Sequence, residues 1–293
     1  MFQRLLICTD FVDGLQRLVD FVPSLSESGI KQVVFLHVVS LSGDQAVPRA
    51  DEKEINAARD RLSAAKTNVP EGVEVHIEVQ VGQQIERILS TASTYKSDII
   101  LLGTQSRSLL TEKLFGSTTI ALCNRAKIPL MVFRPQLLST YTVEELDLRC
   151  RHLFRYFLIP YDGSKTAEYL VTQIKQRAQN RPPESLQECL LCWVIGEGGR
   201  RGVSDLINAE EAKKAEVALE AVKTDLAQLG LTTHHAVLHG ERVLEILMAA
   251  QEYDISAITL SSDSIGKLVE LSVPSFAGEL LRRSWHPIIY FPQ

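Results

Sequence analysis

Apolar and polar positions alternate between short compact runs and longer periodic stretches. Leu5 to Thr9 is an apolar run that stops at Asp10, after which Leu15, Leu18, Val19, Val22 and Leu25 recur at helical spacing until Gly29. Lys31 to Val39 is rich in β-branched residues and predicts a buried strand. Residues 41–50 are polar and loop-like, and Glu52 to Asn68 predicts an amphipathic helix with a solvated face. Val73 to Val81 alternates as a half-buried strand does, Gly82 interrupts it, and Ile85 to Tyr95 is again helical. Asp98 to Leu102 predicts a strand, Thr119 to Ala126 a helix, and Ile128 to Phe133 a closing strand. Strands that alternate with helices in this way predict a parallel sheet covered on both faces. Ligands of such sheets bind beyond the carboxyl ends of the strands, where the strand order switches. Asp10 and Gly103 both stand at such ends.

The pattern then returns. Phe157 to Asp162 mirrors Leu5 to Asp10, and Gly82, Ser117 and Pro129 recur as Gly240, Ser275 and Pro287, each 158 positions further on. Asp10 and Asp162 are only 152 apart, so a few residues are gained between, around Pro182-Pro183 or Gly196 to Gly202. The stretch from Gln136 to His152 is charged, with a helical pattern over Glu144 to Arg151. The expected organisation is a tandem duplication: one domain over 1–136, a linker over 137–153, and a second domain over 154–293. The fold class is α/β, two tandem doubly wound (Rossmann-like) domains, each a five-stranded mostly parallel sheet with helices on both faces.

Composition narrows the class. A chain of 293 residues with 45% apolar content can build two packed cores. A formal charge of -5 and a pI near 5.9 lack the basic field that nucleic-acid binding needs. No apolar run reaches the roughly 18–20 residues of a membrane span, and the opening apolar run is too short for a signal peptide. The expectation is a soluble, cytoplasmic protein. Among five scattered cysteines, Cys189-Leu190-Leu191-Cys192 lies in a predicted strand, where positions three apart face opposite ways. Neither a metal nor a redox couple is expected of it. His37 and Trp193 read as core residues, and His234-His235 as a solvated strand edge.

The candidate chemistry lies after Leu102. Gly103 ends an apolar run, a polar loop with Ser106, Arg107 and Ser108 follows, and Gly116-Ser117-Thr118-Thr119 opens the next helix. Glycines allow close backbone approach, and a helix start with hydroxyl residues offers N–H groups to an anion such as a phosphate. A turn and helix cap that bind nothing is the competing reading, and Asp10 is equally a cap for the following helix. Enzyme signatures are missing: no Gly-x-Ser-x-Gly, no Gly-x4-Gly-Lys-Ser/Thr, no His-Glu-x-x-His, and no Gly-x-Gly-x-x-Gly after the first strand. Only Asp10 and Asp13 stand near the loop as bases, so a catalyst is not expected.

These residues resemble the universal stress protein family in its tandem form, over essentially the whole chain outside the linker. The family's nucleotide-binding members carry Gly-x2-Gly-x9-Gly-Ser/Thr after the fourth strand; here the first half reads Gly103-x2-Ser106-x9-Gly116-Ser117, with serine at the second glycine. The resemblance implies an ATP or related adenine nucleotide, with Mg²⁺, held by Gly103, Ser106, Arg107, Gly116, Ser117 and Thr118. It places Asp10 by the ribose or the metal ion, and Val38 and Val39 around the adenine. In the second half Asp162-Gly163-Ser164 keeps the family's first loop, but Ser261, Ser264, Pro274 and Ser275 stand at the phosphate-loop positions, so that site is expected to be degenerate. Two functions follow from this: a stress-response regulatory protein that binds nucleotide without efficient turnover, or a nucleotide-independent interaction protein for unknown protein partners. The family also implies an intrachain pseudo-dimer joined through the last strands, and is compatible with a homodimer.

Overall fold

In the computed structural model, the structure describes residues 1–39, 52–103, 117–196, 203–262 and 275–293, without the side chains of 117, 135–137 and 203–208. It divides into two compact units at Leu153 and Phe154. The first contains strands β1 (Arg4–Cys8), β2 (Gln32–Val39), β3 (Glu74–Val81), β4 (Ile99–Gly103) and β5 (Leu130–Phe133). Their order in the sheet is β3-β2-β1-β4-β5, and β1 lies parallel to both β2 and β4. The switch in strand order therefore falls between β1 and β4, where Asp10 and Gly103 emerge. Phe2, Leu5, Leu6, Ile7, Phe35 and Ile100 form a fully buried centre.

The helices of this unit follow the predicted pattern with two differences. The stretch predicted as one helix after β1 is a 3-10 helix, Leu15–Phe21, followed by α1 (Val22–Glu27). Pro23 in the first turn of α1 lacks an N–H and fixes φ, so it starts a helix more readily than it continues one. The helix predicted to reach Asn68 is α2 (Glu52–Leu62) and tightens into a 3-10 turn over Ser63–Lys66. Next come α3 (Gln84–Thr94) and α4 (Ser117–Arg125). The segment after β5 is helical, as α5 (Pro135–Thr140) and α6 (Val143–Arg151), the latter closed by a capping box between Thr142 and Glu145. It is tied to the first unit: the Arg17 guanidinium donates to Leu138 O and to Tyr141 O at 3.0 Å, and Ser24 donates to Asp147.

The second unit repeats the plan. Its strands are β6 (Tyr156–Pro160), β7 (Glu188–Ile195), β8 (Thr232–His239), β9 (Ala257–Ser261) and β10 (Ile288–Phe291), ordered β8-β7-β6-β9-β10. Its helices are α7 (Lys165–Ala178), α8 (Val203–Ala227), α9 (Arg242–Glu252) and α10 (Phe276–Arg283). The equivalence extends to single backbone angles. Gly82 and Gly240 have φ of 135° and 147° before α3 and α9, and Lys96 and Asp254 have φ of 48° and 47° after them. The gain between repeats comes in two steps, because β2 and β7 start at 32 and 188, a separation of 156 that lies between the 152 and 158 found elsewhere.

All five cysteines are buried and unpaired. Burial pushes the thiols of Cys189 and Cys192 up to about 12, as it does in an apolar strand interior. His37 and Trp193 are in the core, and His37 Nδ1 is 2.9 Å from Thr9 O. His235 departs from its expected solvated place. Period-two alternation exposes His234 and turns His235 toward α8, with Nε2 at 2.8 Å from Glu216 and a side chain only 19% exposed.

Candidate functional site

At the switch point of the first unit, the chain leaving β1 makes a tight turn. Asp10 Oδ1 accepts from Val12 N at 2.9 Å, and Phe11 between them takes φ 66°. Asp13 then folds back beneath this turn. It is 6% exposed and accepts from Thr9 Oγ1 at 2.8 Å, Leu15 N at 2.9 Å and Asp10 N at 3.3 Å. Burial raises its carboxyl to about 6, and the Asp10 charge adds to the effect against those hydrogen bonds. Gly103 explains why Asp13 fits. A Cβ on Gly103 would stand 2.5 Å from Asp13 Cβ, so only glycine admits this carboxylate at the end of β4.

The resulting cleft is small, about 30 Å³. Asp10, Asp13, Gln84, Gly103, Thr118 and Thr119 line it together with Cys8 and Leu102. Thr118 Oγ1 donates to Gln84 Oε1 at 3.1 Å across it. Three predicted site residues, Asp10, Gly103 and Thr118, are thus brought to one cleft, and α4 begins at Ser117 beside it. Ser106, Arg107 and Gly116 lie outside the described residues, as does the Ser117 side chain. Val38 and Val39 do not line this cleft. Successive strand residues face opposite ways, so at most one of the pair can serve a given pocket; Val39 is buried and Val38 half-buried. Over the neighbouring strand end Phe11 packs on His37, ring centroids 4.4 Å apart, with the Arg61 guanidinium 4.1 Å from the Phe11 ring.

The second unit builds the same turn with different residues and a larger space. Asp162 Oδ1 accepts from Ser164 N at 3.0 Å, and Gly163 takes φ 71°. Ser164 caps α7 by accepting from Ala167 N at 3.2 Å. Among the described residues no carboxylate folds back here, and a cavity of about 210 Å³ opens at the strand ends. Leu170, Val194, Ile246, Leu260 and Phe276 give it apolar walls. Asp162 and Arg242 are its charged lining residues. Of two hydroxyls at phosphate-loop positions, Ser261 donates to Phe291 O at 2.8 Å, and Ser275 accepts from Gly278 N at 3.1 Å as the cap of α10. The expected degenerate site did not include Arg242 or a cavity. The constant 158-residue spacing carried the signal, since it sets Arg242 against Gln84 of the first cleft.

Comparison with known proteins agrees with the duplicated plan. The family model for universal stress proteins matches twice, over residues 1–134 and 154–292. The universal stress protein MJ0577 of Methanocaldococcus jannaschii is 23% identical over 155 residues, covering 46% of this chain and 96% of that protein. Among solved structures, a universal stress protein from Archaeoglobus fulgidus is similar at TM-score 0.64 and 17% identity, covering 99% of this chain and 96% of that one. The protein PA1789 of Pseudomonas aeruginosa is similar at TM-score 0.58 and 12% identity, over 99% and 92% of the two chains. Two family matches, together spanning both repeats, place this chain in the universal stress protein family as a tandem of two such domains.

Proposed function

We propose that this is a stress-response binding protein whose first half holds ATP or a related adenine nucleotide without efficient turnover. The observation that carries the reading is the convergence of Asp10, Gly103 and Thr118 on one cleft at the sheet's switch point, beside the start of α4. The fit of the described residues to the ligand is conditional. Asp10 and Asp13 present two carboxylates where phosphates would approach, and Gly103 is already packed against Asp13. Bare phosphates would be repelled, whereas a Mg²⁺ complex would find hard oxygen donors. The role of Asp10 and Asp13 is therefore to favour the metal-bound nucleotide. Thr118, with Ser117 and the backbone from Gly103 to Gly116, supplies the donors. Turnover is not expected, because among the described residues Asp10 and Asp13 are the only bases lining the cleft and both accept hydrogen bonds that hold the turn.

Calorimetric titration of the whole chain with Mg·ATP tests this, beside a Gly116→Asp variant. Binding near one site per chain, lost in the variant, is expected. A folded protein that gives no heat and no thermal shift would overturn it. A second reading, a nucleotide-independent interaction protein, draws on the packed state of the first cleft: Asp13 fills its floor, and Phe11 with His37 and Arg61 covers the adjacent strand end. That reading predicts no response to nucleotide in either variant or parent.

A further inference from the structure

The cavity of the second half is larger than the cleft of its twin, about 210 Å³ against about 30 Å³, and its chemistry differs. An apolar cavity of about 150 Å³ holds benzene, so the 210 Å³ here suits a molecule of one or two rings or a short branched chain. Its walls of Leu170, Val194, Ile246, Leu260 and Phe276 offer no side-chain hydrogen bonds. Of the hydroxyls at phosphate-loop positions, Ser261 spends its donor on Phe291 O, and Ser275 is held as the helix cap by accepting from Gly278 N. The glycine at the end of β4 has been replaced by Ser261, so the close backbone approach available at Gly103 is lost. Arg242 is the one cationic side chain in the lining among the described residues. Arg242, the first residue of α9, lines the cavity, is exposed, and among the described residues has no hydrogen-bond or ion-pair partner. Its neighbour Glu241 does not neutralise it: that carboxylate accepts from Val243 N and Leu244 N and pairs with Arg283 at 3.3 Å.

Among the described residues, the first half has neutral Gln84 at this position and two carboxylates in its cleft; the second has a cation and one carboxylate. From this contrast we infer that the second half is a separate binding chamber for a small, largely apolar organic carboxylate. The ligand's hydrocarbon body fills the cavity, and its carboxylate meets the Arg242 guanidinium at the mouth. A planar guanidinium matches a carboxylate with two parallel hydrogen bonds. The binding needs no phosphate cradle, which this half has lost. It also needs nothing from the first half, so it stands or falls apart from the nucleotide reading.

The test titrates the whole chain with 2-naphthoate, its neutral analogue 2-naphthylmethanol, and adenosine and AMP. The variants are Arg242→Gln, which installs the first half's own residue, and Arg242→Lys. Because Arg242 is exposed and, among the described residues, unpaired, both should stay folded, which circular dichroism and the melting temperature check. The expected result is one 2-naphthoate per chain, weakened about tenfold to a hundredfold by Arg242→Gln, as loss of a charge-assisted hydrogen bond implies. Arg242→Lys should recover part of that loss, and Gly116→Asp should leave 2-naphthoate binding unchanged. The neutral analogue should bind weakly and equally to parent and R242Q. No binding of 2-naphthoate to folded protein, or equal binding to R242Q, overturns the inference. So does displacement of 2-naphthoate by adenosine or AMP, which would make the chamber a nucleoside site.

Discussion

Phe11 carries a left-handed backbone, φ 66°, which its counterpart Gly163 adopts at φ 71° without steric conflict. For a side-chain-bearing residue that conformation costs about 1–2 kcal/mol. The compensation is visible one strand away. Phe11 packs on His37 and under Arg61, whereas the strand position of His37 in the second half is Trp193, which reaches to 3.3 Å from where a Gly163 Cβ would stand. Each half thus has one large ring over the turn, supplied by the turn in the first and by the strand in the second. Gly163→Ala should therefore destabilise the second half by about 1–2 kcal/mol through φ and contact together. In the first half, Phe11→Gly and His37→Trp should each destabilise singly and partly cancel when combined. A double-mutant cycle by urea denaturation reads this as a coupling of about 1 kcal/mol or more; additive effects would refute the compensation.

Asp13 is the other residue whose behaviour can be worked out. Its carboxyl is raised from the ordinary aspartate range to about 6, first by burial and then by Asp10. Between the unfolded value near 4 and the folded value near 6, the native state holds more protons than the unfolded state. Stability therefore falls as pH rises through that window and levels off above it. A shift of about two units corresponds to about 3 kcal/mol. Asp13→Asn removes this dependence while keeping an acceptor for Thr9 and Leu15. The melting temperature of the variant relative to the parent should rise between pH 4 and pH 6.5 and stay constant above that. A difference that does not change with pH would show that Asp13 ionises freely.

At the scale of elements, the strands and their succession along the chain were legible because apolar runs of four to eight residues bounded by Gly, Pro or Asp leave few alternatives. The duplication was legible because Gly82/Gly240 and their successors keep one spacing. What could not be read was the internal pitch of the first helical stretch, where Pro23 divides a 3-10 helix from α1, and the site's filling. Asp13 reaches back to Gly103 through tertiary folding that no spacing encodes, whereas Arg242 was readable in principle from its alignment with Gln84. Long-range ties of the same kind join the second half's elements. The Arg181 guanidinium donates to Leu186 O at 2.7 Å, Leu229 O at 2.8 Å, and Ala178 O and Gly230 O at 3.0 Å, linking the end of α7, the lead into β7 and the end of α8. A lysine ammonium is compact and cannot span four carbonyls on separate segments. Arg181→Lys should consequently lose nearly as much stability as Arg181→Ala, about 2–3 kcal/mol by denaturant titration. Full retention by lysine would mean that charge alone suffices there.

At the scale of the whole chain, duplication has given two clefts built on one plan with different electrostatic character, one acidic and one in which a cation stands beside a carboxylate. The first gathers Asp10 and Asp13 around about 30 Å³ and keeps the Gly103 and Gly116 spacing; the second sets Arg242 and Asp162 at the rim of about 210 Å³ and has lost those glycines. Divergence of this kind predicts two ligand classes that do not compete. A ligand that binds only folded protein stabilises it by about 2.7 kcal/mol at a hundredfold excess over Kd, whichever half it occupies. Thermal shift should therefore respond to Mg·ATP and to 2-naphthoate separately. Asp10→Ala should abolish the first response and spare the second, and Arg242→Gln should do the reverse. Saturation with either ligand should leave the Kd of the other within about twofold, since independent sites with no shared partners add within about 0.5 kcal/mol. Mutual displacement would instead place both ligands in one cleft, and the second, being the larger and the one with a cation, would then be the nucleotide site as well.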